Sequence, residues 1–197
     1  MTDSERSFVI GISSVSGGGK TATAKKLAAL LHDPVTLCFD DYDNSNLHPE
    51  NLQEWFQQGG DYNAWKTPTL TRDLQTLKSG NPITSVLDGS HISPARFIIF
   101  DAPLGRAHRD TGRLIDFMVF IDTPLDLALA RRILRNLVDE DPEETSKKLG
   151  NNLSVYVNEA RPIFLHFIDQ MKQTSDLILD GCCTLDELAM EIYNKVK

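Results

Sequence analysis

A chain of 197 residues, 41% of them hydrophobic and 24% charged, is long enough for one domain with a core of its own, and residues 1–197 are read as a single unit. A net charge of -8 argues against nonspecific binding to nucleic acid or to an anionic membrane surface. No stretch approaches the roughly 18 apolar residues of a membrane span, and the opening MTDSERSFVI lacks a signal-peptide run, so a cytoplasmic protein is the expectation.

The first apolar run, SFVIGIS from Ser7, is rich in β-branched residues without strict alternation. That is how a strand buried on both faces of a parallel sheet reads. It leads into SVSGGGKT and then a series of good helix formers over residues 20–31. The ending Gly19-Lys20-Thr21 fits the phosphate-loop pattern G-x-x-x-x-G-K-[ST], except that Ser14 stands where the first glycine is usual. That first position serves the turn, and a small residue fits there if its φ is negative. Gly17, Gly18 and Gly19 let the backbone curl with its N–H groups inward, and the following helix aims its positive end at the same place. Lys20 would reach nucleotide phosphates, and the Thr21 hydroxyl would ligate Mg²⁺. The alternative is a glycine-rich turn without a ligand.

The second run, VTLCF from Val35, ends in FDDYD, which places Asp40 and Asp41 at its carboxyl end. Residues 44–68 are polar, with Gly59-Gly60, Trp55 and Trp65, and show no clear periodicity. A helical pattern follows over residues 70–77. The third run, RFIIF from Arg96, ends at Asp101. A carboxylate at such a strand end holds Mg²⁺ through water or accepts a hydroxyl proton, or else is a solvated loop acid. The fourth, DFMVFID from Asp116, opens a helix over 125–137, with Asp122 and Thr123 as N-cap candidates. Arg131, Arg132 and Arg135 come late on it. They form either a solvated face or a cluster meeting transferred phosphate.

An acidic stretch over 136–150 precedes a long helical pattern over 146–171, the fifth run DLILD from Asp176, and a closing amphipathic helix over 185–196. Strands alternating with helices imply a parallel α/β sheet with right-handed crossovers. The two aperiodic regions belong over the strand ends, where ligands sit in such folds. The five histidines show no metal spacing, and Cys38, Cys182 and Cys183 show no zinc spacing.

GISSVSGGGKT, FDDYD, FIIFDAP, FIDTPLDLALARRILRN and EARPIFLHFIDQMKQTSDLILDG together resemble the uridine kinase-like branch of P-loop kinases. That branch includes uridine/cytidine, nicotinamide riboside and pantothenate kinases and phosphoribulokinase. The resemblance implies a three-layer P-loop NTPase fold, with a five-stranded parallel sheet of order 2-3-1-4-5, helices on both faces and a small lid over about residues 136–150. It implies ATP and Mg²⁺ as cofactors and a small hydroxylated molecule as substrate. Asp40, Lys20 and Arg132 would be catalytic. Ser16, Gly17, Gly18, Gly19, Lys20, Thr21, Ala22 and Arg135 would hold the nucleotide, and Thr21, Asp40 and Asp101 the metal.

Glu140 and Pro142 stand where family lids carry further arginines, and the aromatics that hold a nucleoside base are not recognisable near SVLDGSHIS. The expected acceptor is therefore a compact polyol, sugar or pantothenate-like molecule rather than uridine or cytidine. Its pocket is expected from Asp40, Asp43, Arg132 and the region of Tyr62 and Trp65. Two alternatives stand beside this reading: a non-catalytic ATP-binding regulatory protein, and a true uridine or nicotinamide riboside kinase. No nucleic-acid or membrane partner is expected, and assembly into homo-oligomers is left open.

Overall fold

A computed structural model describes residues 6–137 and 142–197. The strands are β1 (Phe8–Ser13), β2 (Val35–Cys38), the short β3 (Ile83–Thr84) and β4 (His91–Ile92), β5 (Phe97–Asp101), β6 (Phe117–Asp122) and β7 (Leu177–Asp180). The helices are α1 (Lys20–Leu30), α2 (Leu52–Gln57), α3 (Pro68–Lys78), α4 (Arg109–Gly112), α5 (Leu125–Leu137), α6 (Pro142–Val155), α7 (Arg161–Thr174) and α8 (Leu185–Val196). Five strands form one parallel sheet in the order β2-β5-β1-β6-β7. Counting only those five in chain order, this is 2-3-1-4-5, as the family resemblance implied. The remaining pair, β3 and β4, is an antiparallel hairpin that the sequence does not announce.

The strand side chains alternate between two faces. Val9, Ile98, Phe100, Met118 and Phe120 pack beneath Leu70, Leu74 and Leu77 of α3 and Phe167 and Met171 of α7. Ile10, Ile12, Ile99, Val119 and Ile121 pack against Ala24 and Leu27 of α1 and Leu188 and Ile192 of α8. Both faces are thus covered, which explains why the strand sequences read as continuous apolar runs. Each fully buried Leu, Ile or Phe contributes on the order of 2 kcal/mol.

The layers are also tied by charge. Lys78, 3% exposed, donates from Nζ to the Asp116 carboxylate at 2.6 Å and to Leu114 O at 2.5 Å. Asp116 Oδ2 in turn accepts from Val9 N at 2.9 Å. Burial pulls the Lys78 ammonium below its ordinary pKa, although Asp116 opposes this. Removing either partner would strand a charge in a poorly solvated place.

The stretch over 44–68 is more ordered than its composition suggests. It holds α2, capped by the Asn51 side chain accepting from Gln53 N and Glu54 N. It also holds a 3₁₀ turn, Tyr62–Ala64, and a bridge between Leu47 and Lys66. The helical pattern over 146–171 belongs to α6 and α7, joined by a π-helical turn at Tyr156–Ala160. Of the lid expected over 136–150, residues 138–141, Glu140 among them, lie outside the described residues, and Pro142 opens α6.

Candidate active site

Between β1 and α1 the chain turns sharply. Gly17 (φ 86°) and Gly19 (φ 99°) adopt left-handed backbone that other residues rarely take. Gly17 also passes close to α5, where a Cβ would lie 2.2 Å from Ala128 O. Ser14 fits this turn without strain, because Asp33 is the only described non-glycine residue with positive φ. Its side chain is buried, and its hydroxyl donates to Ile121 O at 2.8 Å. The loop is thereby fastened to β6 at its first residue. Ser14 Oγ also fills the space beside Gly18, where a Cβ would lie 1.8 Å from it.

The expected N-cap role of Thr123 does not hold. Its hydroxyl donates to Gly18 O at 2.9 Å, because a carbonyl buried in the loop must find a donor. Asp122 pairs instead with Lys172 at 2.6 Å.

A groove of about 390 Å³ opens on the outer side of the loop, lined by Gly17, Gly19, Lys20, Thr21 and Ala22, with Lys25, Arg131 and Arg135. Four of the expected nucleotide or catalytic residues stand apart from it, Asp40 among them. Gly18 is buried in the turn, Ser16 faces the pocket described below, and the Arg132 guanidinium lies 5.9 Å from the rings of both Tyr156 and Phe164. Arg131, not singled out over its neighbours from the sequence, lines the groove while donating to Gly181 O at 3.3 Å. Four cationic side chains around a helix N-terminus make a site for a polyanion.

The carboxylates meet at the strand ends behind the loop. Asp101, 2% exposed, accepts from the Thr21 hydroxyl at 2.5 Å through Oδ2. Its other oxygen, Oδ1, is buried with no hydrogen-bond partner. Burial raises the Asp101 pKa, and the nearby Lys20 charge and the Thr21 bond only partly offset it. The Cys38 thiol lies 3.9 Å from Asp101 Oδ2. Burial, with Asp101 adding to it, pushes that thiol up to about 11, so it stays protonated at neutral pH.

Asp40 is exposed on the 3₁₀ turn Phe39–Tyr42 that leaves β2. Asp41 beside it is raised by burial and by the Asp40 charge. An orphaned carboxylate oxygen next to a hydroxyl is a donor set for a hard divalent cation. Among the described residues no cluster of three or more His, Cys, Asp or Glu could hold a metal unaided. The residues therefore fit a cation that keeps several waters and shares a phosphate, as Mg²⁺ does.

On the other side of the loop lies a pocket of about 310 Å³, with Lys20 and Asp40 at one end and Trp55, Tyr62, Trp65, Phe164 and Phe167 among its walls. The rings brace one another: Trp55 and Trp65 meet edge to face with centroids 4.9 Å apart, and Tyr62 stacks on Trp65 at 6.0 Å. His108 fixes Trp65 from behind. Its Nε2 lies 3.1 Å from Trp65 O and its Nδ1 2.8 Å from the Thr111 hydroxyl. A carbonyl can only accept, so the proton belongs on Nε2, and Nδ1 accepts from Thr111. Burial lowers the His108 pKa, which favours this neutral ring.

The expected lining is thus corrected. Tyr62, Trp65 and Asp40 belong to the pocket, whereas Asp43 and Arg132 do not line it. Sequence reasoning passes over Phe164 and Phe167. Their spacing in PIFLHF, three apart on α7, was the available signal, but it reads equally as a packing face.

The model of the phosphoribulokinase/uridine kinase family matches residues 9–186. A uridine kinase from Enterobacter sp. (strain 638) is 32% identical, with 91% of this chain and 90% of that protein covered. A uridine kinase from Salmonella paratyphi A is 29% identical, covering 98% and 95%. Among solved structures, a possible uridine kinase from Bacillus stearothermophilus superposes with a TM-score of 0.54 at 18% identity, covering 91% of each chain. At that identity the likeness speaks for the fold. No helix among the described residues is long and apolar enough to cross a membrane.

Proposed function

Since the chain belongs to the phosphoribulokinase/uridine kinase family, and so is a phosphotransferase with a hydroxyl group as acceptor, we propose that it moves the γ-phosphoryl group of Mg²⁺-ATP to a hydroxyl of a small metabolite bearing a flat ring. One observation carries this reading: Lys20 lines both the basic groove and the aromatic pocket. A phosphate in the groove and a hydroxyl in the pocket therefore converge on the same ammonium group. The aromatic walls argue for a nucleoside-like acceptor, the class to which the relatives' substrate belongs by name. They are a poor match for the compact polyol expected from the sequence.

The chain's own groups divide the work. Loop N–H groups, Lys25, Arg131 and Arg135 hold the polyphosphate, and Lys20 follows the charge that builds on the transferred group. Asp40 orients the acceptor hydroxyl and takes its proton as that oxygen bonds to phosphorus and the bond to the leaving ADP oxygen breaks. Thr21 and Asp101 hold the cation, which when bound neutralises phosphate charge. Arg132, against Tyr156 and Phe164, keeps the α5 and α7 walls together at the pocket's edge. The non-catalytic alternative loses one of its motives, because Ser14 strengthens the loop.

Asp40→Asn separates binding from transfer. Product formation with the best acceptor should fall by about 10²–10⁴, while thermal stabilisation by Mg²⁺-ATP persists. Wild-type turnover by this variant would remove Asp40 from the role.

A further inference from the structure

One cleft among the described residues belongs to neither site. It measures about 700 Å³ and lies between the outer face of α3 and α4, sharing no lining residue with the groove or the aromatic pocket. Its α3 wall presents Thr71, Arg72, Gln75 and Thr76, and its α4 side Asp110 and Arg113. The spacing Thr71, Arg72, Gln75, Thr76 is that of one helix face. That face is polar because the opposite one, Leu70, Leu74 and Leu77, is fully buried.

Polar surface on a helix usually faces open water. Here the same cleft is bordered by α4, which adds a second guanidinium to its exposed lining. Arg113 spends only its Nε, in a 3.4 Å contact to Asp110 O. Arg72 turns Nε and Nη2 to a single oxygen of Asp73, both at 2.9 Å, and its side chain remains 69% exposed.

We propose that this cleft binds a phosphorylated sugar or polyol. Arg113 has its two Nη groups to offer a phosphate dianion, which accepts bidentate hydrogen bonds, and Arg72, with Nε and Nη2 on Asp73, adds Nη1 and its charge. The single carboxylate, Asp110, repels an anion, so it must face a part of the ligand that donates, and hydroxyl groups do so. The volume lies in the range of sites for metabolites rather than for bare ions.

Both walls also connect to the aromatic pocket. Arg72 holds Asp73, which accepts from the Tyr42 hydroxyl at 3.2 Å, and Tyr42 ends the turn that carries Asp40. His108, immediately before α4, holds Trp65 O. A ligand that draws on Arg72 and presses on α4 therefore acts on both ends of the pocket.

Calorimetric titration of the full chain with ribose 5-phosphate, inorganic phosphate and ribose, without nucleotide, tests the site. Ribose 5-phosphate should bind, inorganic phosphate more weakly, and ribose not at all. Affinity for ribose 5-phosphate should fall at least about tenfold in Arg113→Gln and persist in Lys20→Ala, which separates the cleft from the phosphate loop. Both tryptophans of the chain line the aromatic pocket, so their emission should change on binding. Absence of binding by ribose 5-phosphate and phosphate, loss of all binding in Lys20→Ala, or unchanged affinity in folded Arg113→Gln overturns the site. Binding without a change in emission overturns its coupling to the pocket.

Discussion

Ser14 and Asp101 show how single side chains set the loop's behaviour. The Ser14 hydroxyl bond to Ile121 O is a buried neutral hydrogen bond, worth about 1 kcal/mol net. Ser14→Gly should therefore lower the melting temperature by roughly 2–4 °C, as expected for a chain of this size. ATP affinity should change by less than about tenfold, because the N–H groups proposed to meet phosphate come from later residues. Calorimetry and nucleotide titration of the same variant check both, and a larger gain in affinity would mean that Ser14 strains the loop.

Asp101 behaves in the opposite sense. Its folded pKa is raised above 3.8 by burial, so the folded state holds its proton longer than the unfolded chain does. Its contribution is favourable at low pH and is lost as pH rises through 3.8 towards the folded value. Without a bound cation, the ionised form of Asp101 is poorly solvated. Asp101→Asn, which can still accept from Thr21, should raise the melting temperature of the nucleotide-free protein and abolish the added stabilisation by Mg²⁺. A destabilised variant, or one with full Mg²⁺ response, would contradict the metal assignment.

At the scale of elements, the pocket depends on a connection between α4 and the turn Tyr62–Ala64. Arg109 N donates to Asn63 Oδ1 at 2.8 Å, and His108 Nε2 meets Trp65 O. The folded pKa of His108 is lowered below 6.5 by burial. Its contribution to stability is therefore complete above 6.5 and is lost as pH falls through that value to the folded pKa. Stability should decline over that window in the wild type and less in His108→Gln, read by denaturant melts at pH 7.5 and in steps below 6.5. Equal slopes would show that His108 does not carry the tie.

The same connection explains what a linear reading cannot reach. The inner strands β1, β5 and β6 are legible because burial on both faces leaves an apolar run, and the edge strands β2 and β7 keep such a run although Thr36 and Ile178 are exposed. The phosphate loop is legible because its groups lie within a few residues. Thr123 misleads because α5 begins only at Leu125, with the Pro124 carbonyl taking its first bond from Ala128 N, and the Thr123 hydroxyl is left to donate to the distant Gly18 O. Half of the pocket is legible, since Asp40, Tyr62 and Trp65 are expected in it from the sequence, but its other wall is hidden because Phe164 and Phe167 come from a segment about a hundred residues further on, with no shared period. The hairpin of β3 and β4 is too short to leave an alternation.

Across the whole molecule, β1 lies between β5 and β6, so the chain leaves it in opposite directions along the sheet. The crevice beyond such a switch point is where open α/β folds bind ligands, and here it holds the groove, the pocket and Lys20 between them. The central claim is that these two sites act together on a ring-bearing acceptor. Incubation with Mg²⁺-ATP and a panel of uridine, cytidine, nicotinamide riboside, ribose and pantothenate, followed by mass spectrometry, tests it most directly. A nucleoside on the panel should gain one phosphoryl group at least about tenfold faster than ribose or pantothenate. Phosphorylation of ribose or pantothenate alone, or ATP binding with no phosphorylated product from any of them, would contradict it.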